Sequence, residues 1–249
     1  MALDLSVIIL AAGQGTRMRS DLPKVLQPLA GQPLLAHVLD CARELGASDV
    51  CVVYGHGGEA VRAAFPSTGI RWALQAQQLG TGHAMLQAIP GTPEANRVLV
   101  LFGDVPLLTA KTLRSMLDAG QEQDVLILTV DMEDPAGYGR IIRAGEAVTG
   151  IVEEKDASDS QKEISEINTG VMVCPAAELR QWLGQLSNDN AQGEYYLTDV
   201  IGMAVADGIA VHGVKAQNQV EVMGINDKKQ LAEAERALQA RLVDDLMTR

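Results

Sequence analysis

The sequence carries no Cys-x-x-Cys pair, no apolar run long enough to span a bilayer and no excess of basic charge. Each absence argues against a class of function. The cysteines Cys41, Cys51 and Cys174 are odd in number, far apart and set in apolar surroundings, so they predict reduced core thiols, not a zinc site or a disulfide framework. The opening MALDLSVIIL lacks a basic leader, and its apolar stretch is too short for a signal peptide or a membrane span, which makes a cytoplasmic, soluble protein the expectation. Net charge is −12 and the pI about 4.7, whereas a nucleic-acid binder shows a basic face. No nucleic-acid or membrane partner is expected.

What is present suffices for one large core: 249 residues, 47% of them hydrophobic, with a mean hydropathy of +0.06. Short apolar runs alternate with helical patterns. Strands are expected at Leu5–Leu10, Val50–Tyr54, Arg71–Gln75, Val98–Phe102 and Val125–Val130, with helices near Pro33–Leu45, Gly58–Phe65, Gly82–Ile89 and Ala110–Gln121 between them. Leu34, Leu35, Val38, Leu39 and Ala42 form one apolar stripe at helical spacing. Continuous apolar strands separated by helices predict an α/β fold with a mostly parallel sheet covered on both faces.

After Val130 the pattern changes. Gly139–Arg143 and Ala147–Val152 read as a hairpin, Lys155–Glu163 as an exposed loop and Glu166–Cys174 as a strand. Helices near Ala176–Leu186 and Leu197–Ala206 follow, then strands near Ile209–Val214 and Val220–Met223. This half reads as a mixed extension of the first sheet. From Asp227 to Met247 a helix presents Leu231, Ala234, Leu238, Leu242 and Leu246 on one face, either packed on the domain or serving as a connector.

One segment breaks the acidic background. LAAGQGTRMRSDLPK (Leu10–Lys24) follows a buried strand and carries Arg17, Arg19 and Lys24, opposed only by Asp21. Glycines let backbone N–H groups approach a ligand closely, and nearby cations suit phosphate. A glycine-rich turn alone is often an ordinary strand-to-helix turn; the cations favour phosphate. There is no GxxxxGK[ST], and Gly13-x-Gly15-x-x-Met18 lacks the third glycine of a dinucleotide fingerprint. The second strand ends in Tyr54-Gly55, where an acidic residue would bind a ribose, so hydride transfer is disfavoured. Asp104, in Phe102-Gly103-Asp104-Val105-Pro106, ends another strand, where it either holds a hard cation or opens a turn. Gln75–His83 (QAQQLGTGH) sits between strand and helix and either reads a base edge through its amides or is a solvated loop; His83 is read as structural.

Together these segments resemble the sugar-phosphate nucleotidyltransferases. The residues carrying the resemblance are LAAGQGTRMRSDLPKVL (Leu10–Leu26), VYGHGG (Val53–Gly58), QAQQLGTGHAM (Gln75–Met85), GDVPL (Gly103–Leu107), DPAGYGRI (Asp134–Ile141), GIVEEKDA (Gly150–Ala157), EINTGV (Glu166–Val171) and NAQGEYYLTD (Asn190–Asp199). The resemblance implies a Rossmann-like, mostly parallel mixed sheet flanked by helices, the nucleotide-diphospho-sugar transferase fold. It implies uridylyl transfer from UTP to N-acetylglucosamine 1-phosphate, giving UDP-N-acetylglucosamine and pyrophosphate for cell-wall and lipopolysaccharide precursors. Leu10, Ala11, Ala12 and Gly13 would line the uridine and phosphate site, and Arg17 and Lys24 would hold the triphosphate and the departing pyrophosphate. Gln75, Gly80 and Thr81 would read the uracil; Asp104 and Asn226 would bind Mg²⁺. Gly139, Glu153 and Asn168 would contact the ribose or the sugar, and Phe102 and Gly103 would contribute backbone.

The chain departs from the family pattern in three places. Phe102 replaces an expected tyrosine and loses a phenolic contact, Glu154 replaces an expected histidine, and no hexapeptide repeat of a left-handed β-helix follows the terminal helix. Residues 1–226 are therefore read as the nucleotidyltransferase domain and 227–249 as a helix that would lead into that missing domain, in an excised domain or a short homologue. Acetyltransfer is not expected, and a trimer only where the β-helix is present. Rival readings are a nucleotidyltransferase for another sugar 1-phosphate, a non-catalytic nucleotide-sugar-binding protein, and a glycosyltransferase, which would want an Asp-x-Asp motif that the strand end lacks.

Overall fold

A computed structural model describes residues 3–55, 57–66, 69–93 and 97–248; His56 of the VYGHGG motif lies outside them. In chain order the strands are β1 (Leu3–Ala11), β2 (Pro28–Leu29), β3 (Gln32–Pro33), β4 (Ala47–Tyr54), β5 (Arg71–Leu74), β6 (Arg97–Phe102), β7 (Val125–Asp131), β8 (Arg140–Ala144), β9 (Ala147–Val152), β10 (Glu166–Pro175) and β11 (Val211–Lys215). The helices are α1 (Leu34–Leu45), α2 (Gly58–Ala64), α3 (Thr81–Ala88), α4 (Ala110–Leu117), α5 (Asp159–Lys162), α6 (Ala176–Leu183), α7 (Asp199–Ala206), α8 (Gln219–Val222) and α9 (Lys228–Met247).

The main sheet runs β11-β7-β10-β6-β1-β4-β5, with β8 paired to β10 and β9 paired to β8. All its pairings along this order are parallel except those of β10, which runs antiparallel to both neighbours. The second half therefore extends the first sheet, as expected. Successive β1 side chains point to opposite faces. Val7 and Ile9 belong on one side to a core shared with Leu35, Val38 and Leu39 of α1 and Leu113 and Met116 of α4. Ile8 and Leu10 belong on the other side to a core shared with Ala84 and Met85 of α3, Trp182 of α6 and Val200 and Ile201 of α7. Double-sided burial is why these strands read as unbroken apolar runs. All three cysteines are buried and free. Desolvation pushes the Cys41 and Cys174 thiols up to about 12, so they are inert at neutral pH.

The chain first builds outward from β1 to β4 and β5, then returns to lay β6 on the other flank of β1. Connections leave β1 and β6 in different directions, which opens a crevice beyond their carboxyl ends. The glycine-rich loop and Asp104 both emerge there.

Three expectations need correction. Val220–Met223 is not a strand: α8 is a helical turn capped by Asn218, whose Oδ1 accepts from Val220 N at 3.0 Å, while Glu221 accepts from Thr109 N at 2.9 Å. Four residues are too few for period alone to separate strand from helix. The Lys155–Glu163 loop contains the short helix α5, closed by a capping box between Ser158 and Gln161. Helix α4 stops at Leu117, not Gln121, because Asp124 Oδ2 accepts from Gln121 N at 2.8 Å and turns the chain into β7. The apolar face of α9 divides: Ala234 and Leu238 pack with Leu29, Leu34, Leu107 and Ile225, whereas Leu242 and Leu246 are exposed.

Candidate active site

The loop after β1 folds over Lys24. Gly15 has a φ of +62°, and a Cβ there would lie 2.6 Å from the Lys24 Cβ, so only glycine fits. Arg19 is also left-handed, at φ 47°, a conformation a non-glycine residue rarely adopts. Buried Met18 anchors the loop from below, and Gln27 Nε2 ties it down by donating to Leu22 O at 2.9 Å and Ser20 Oγ at 3.1 Å.

The end of β6 is stitched to the end of β1 by Gly103 N donating to Leu10 O at 2.9 Å. Gly103 is fixed by space, since a Cβ would meet Ala11 Cβ at 3.1 Å and Val25 Cγ1 at 3.2 Å. Asp104 then projects into the crevice, and its carbonyl accepts from Ile225 N at 2.8 Å, which brings the Gly224–Asn226 turn alongside. Lys24 Nζ pairs with Asp104 Oδ2 and donates to Asn226 Oδ1 at 3.2 Å. Residues separated by 80 and 202 positions in the chain thus converge on one point. The two oxygens face a single cationic group, and the lysine and aspartate side chains are only 12% and 17% exposed.

Beside this trio lies a cavity of about 240 Å³ lined by Leu10, Ala11, Ala12 and Gly13, by Lys24 and Asp104, by Gln75, Gly80 and Thr81, and by Phe102. Ten sequence-predicted residues therefore share one wall. Gln75 is buried, and its amide donates to Gly80 O at 3.0 Å and lies 3.1 Å from His83 Nδ1. His83 is structural in this sense: it holds the glutamine amide at the cavity wall. Val25, Gln78, Ala84 and Glu194 also line the cavity and were not singled out in the sequence. Glu194 arrives on the 190–198 segment, which zips onto the 79–82 loop through Tyr195 N to Leu79 O (2.9 Å), Gly82 N to Tyr195 O (2.8 Å) and Leu197 N to Thr81 Oγ1 (3.1 Å). Only the folded chain shows that approach. Gly80 permits it, since a Cβ there would meet Tyr195 O at 2.6 Å.

Gly139, Glu153 and Asn168 lie outside this cavity but cluster with one another. Asn168 N donates to Gly139 O at 2.8 Å, and a Cβ on Gly139 would lie 3.4 Å from Glu153 Oε2. Phe102 connects the two halves, because its ring packs where a Gly170 side chain would stand. Burial pushes the Glu153 carboxyl above the usual range, opposed by the Thr198 hydroxyl donating to Oε1 at 2.8 Å, with Asp199, Asp156 and Glu194 adding repulsion.

Arg17 does not line the cavity. It opens onto an exposed recess with Arg19, Asp227, Lys228 and Lys229. The half-buried Tyr138 marks how near the two regions are: burial raises its phenol, the charge of Arg17 lowers it and that of Asp104 raises it. Tyr138 is a further site neighbour that sequence reasoning passed over.

Among the described residues no three His, Cys, Asp or Glu side chains gather as a metal cage, and no helix is long and apolar enough to cross a membrane. The Asp104–Asn226 pair nevertheless fits a hard cation. Both donors are oxygens, they already converge on an ammonium group, and one carboxylate leaves the other coordination positions to phosphate and water.

Residues 7–197 match the model of a MobA-like NTP transferase domain. The bifunctional protein GlmU of Azoarcus sp. (strain BH72) is 55% identical over 244 residues, covering 98% of this chain and 54% of that protein. GlmU of Dechloromonas aromatica (strain RCB) is 54% identical with the same coverage. The chain spans about half the length of the curated relatives it matches. A UDP-glucose pyrophosphorylase solved with UDP-glucose superposes with a TM-score of 0.72 at 17% identity, covering 97% of this chain and 100% of that one. A nucleotidyl transferase from Methanothermobacter thermautotroptrophicus superposes at 0.68 and 20% identity, covering 95% and 98%. At these identities the structures show the shared fold.

Proposed function

The chain belongs to the MobA-like NTP transferase family, and from that premise we propose that it transfers a uridylyl group from UTP to N-acetylglucosamine 1-phosphate, releasing pyrophosphate and UDP-N-acetylglucosamine in the cytoplasm. Residues 1–226 form the catalytic unit in this reading, followed by α9. The observation that carries it is the convergence of Lys24, Asp104 and Asn226 beside a cavity walled by Leu10–Gly13 and the Gln75–Thr81 loop. Half identity to the GlmU proteins across 98% of the chain favours this sugar and base over others of the same fold. Intact Lys24, Arg17 and Asp104 argue against a non-catalytic binding protein.

The backbone of Leu10–Gly13 would cradle the nucleotide, and the Gln75 amide, already held by Gly80 and His83, would be aimed at the base edge. The sugar phosphate supplies its own nucleophile: the second pKa of a phosphate monoester is about 6, so it is largely ionised at neutral pH. No general base is required of the protein. Its task is to bring two anions together in line and to offset the charge on the leaving group. Lys24 does this at the cavity mouth. Asp104 and Asn226 would hold Mg²⁺, which when bound supplies charge neutralisation on the phosphate oxygens. Arg17, outside the cavity wall, would meet the pyrophosphate as it departs.

Arg17→Ala should therefore lower kcat while leaving the KM for the sugar phosphate near the wild-type value. A variant in which only sugar-phosphate binding suffers would remove Arg17 from the leaving-group side.

Glu153 separates function from stability. Its folded-state carboxyl holds a proton more tightly than the unfolded chain does. The group consequently withdraws stability as pH rises from the ordinary glutamate range up through its raised value. Glu153→Gln should leave Tm unchanged or slightly higher at neutral pH yet raise the KM for N-acetylglucosamine 1-phosphate about tenfold, the scale of one hydrogen bond to a charged group. Thermal melts and initial rates check both halves, and a lower Tm with an unchanged KM would contradict the assignment.

Phosphorus NMR of the reaction mixture tests the proposed reaction. UTP and N-acetylglucosamine 1-phosphate should give a nucleotide diphosphate diester and pyrophosphate in equal amounts; release of orthophosphate, or no conversion, would overturn it.

A further inference from the structure

Arg140 is almost fully buried, with a side chain only 2% exposed, and it pairs with Glu154 through Nη2 at 2.7 Å from Oε2. Its Nη1 donates to Tyr138 O, and Nη2 lies 3.4 Å from Lys162 O. One rigid guanidinium thus joins three chain segments: the entry to β8, the turn after β9 and the α5 segment.

Its backbone is equally central. Arg140 stands opposite Val152 of β9 and opposite Ile167 of β10. Gly139 precedes Arg140, Glu153 lies between Val152 and Glu154, and Asn168 follows Ile167. Every residue of the cluster beside the nucleotide cavity is therefore adjacent in sequence to Arg140 or to one of its partners. A buried ion pair adds little net stability over apolar residues of similar volume; here the single Nη2–Oε2 contact fixes distance, and the planar guanidinium's bonds to Tyr138 O and Lys162 O fix direction. The Arg140–Glu154 contact is an ion pair by distance and not an aligned hydrogen bond: Arg140 Nε and Glu154 Oε2 are both buried without a hydrogen-bond partner among the described residues, a further cost that packing alone would not retain.

We propose that Arg140, through its pair with Glu154, is a positioning residue that sets the separation of Gly139, Glu153 and Asn168 and so shapes the sugar-phosphate half of the site. The kinetic consequence rests on the reaction proposed above; the clamp itself does not. The adjacent Arg140 guanidinium also draws the Glu154 carboxyl below the usual range. Glu154, where the family pattern has a histidine, is part of the device in this chain.

Glu154 is about one-third exposed (31%), so Glu154→Gln should fold while leaving the guanidinium without its counter-charge. Arg140→Lys keeps the charge but loses the fork. In both variants hydrogen exchange should quicken at residues 138–142, 151–155 and 166–169 and stay unchanged at 10–13 and 79–82. The KM for N-acetylglucosamine 1-phosphate should rise about tenfold or more, the scale of a small misplacement of binding groups, with the KM for UTP within about twofold of wild type. Unchanged exchange in those three segments, or a parallel rise in both KM values, would overturn the proposal. So would an Arg140→Lys variant that matches wild type. Failure of the wild-type protein to make the diphosphate diester would instead sink the proposed reaction, with the exchange data still deciding the clamp.

Discussion

Asp104→Ala is expected to cut turnover about a thousandfold or more, since a fixed charge at the reacting phosphates is usually the largest single contribution to such catalysis. Secondary structure should survive. The Asp104 main chain keeps its bond to Ile225 N, and Gly103 keeps its bond to Leu10 O, so the two strand ends stay joined. What is lost is one of the two oxygens that face the cationic position, together with the counter-charge of Lys24. Pyrophosphate release measured beside far-UV circular dichroism checks both parts. A folded Asp104→Ala protein that turns over near the wild-type rate would remove this residue from the centre of the site.

Lys24→Met carries the second large effect. Methionine keeps much of the stem volume but removes the charge at the cavity mouth, and turnover should fall by about two to three orders of magnitude. The nucleotide-free protein should respond in the opposite sense. With the ammonium gone, Asp104 and Asn226 present their oxygens without a competing cation, so Mg²⁺ titrated by calorimetry should bind more tightly than to wild type. Turnover within about tenfold of wild type, or weaker Mg²⁺ binding, would show that Lys24 does not share the site with a cation. The paired results separate two roles: Asp104→Ala should lose metal affinity and turnover together, Lys24→Met turnover alone.

The sheet was legible because both its faces are buried. Val7, Ile8, Ile9 and Leu10 could be read as a core strand without knowing what covered them. The glycine-rich side of the crevice was legible for a related reason. Gly15 and Gly103 are demanded by close packing against Lys24 and Ala11, so glycines and cations cluster in the sequence where they cluster in space. Helical turns were harder: Val220-Glu221-Val222 looks β-prone, yet the Asn218 cap and the Glu221 bonds to Thr109 decide its shape.

Asn226, Gly139 and Asn168 carry no signal of their own, and only the family resemblance pointed to them. The fold supplies the missing reason by delivering the Gly224–Asn226 turn to Asp104 and Asn168 to Gly139 across the sheet. Glu194 and Tyr138 lie within motifs that carry the resemblance but were given no role, because each approaches the site from a segment whose neighbours in sequence say nothing of phosphate. Arg17, expected beside Lys24 at the triphosphate, instead faces the recess beside α9 and not the cavity.

The most direct test of the central claim is a matrix of UTP, ATP, GTP, CTP and dTTP against N-acetylglucosamine 1-phosphate, glucosamine 1-phosphate and glucose 1-phosphate, scored as kcat/KM by pyrophosphate release with Mg²⁺. UTP with N-acetylglucosamine 1-phosphate should stand highest. A higher value for any other pair, or no pyrophosphate from any combination, would contradict the account.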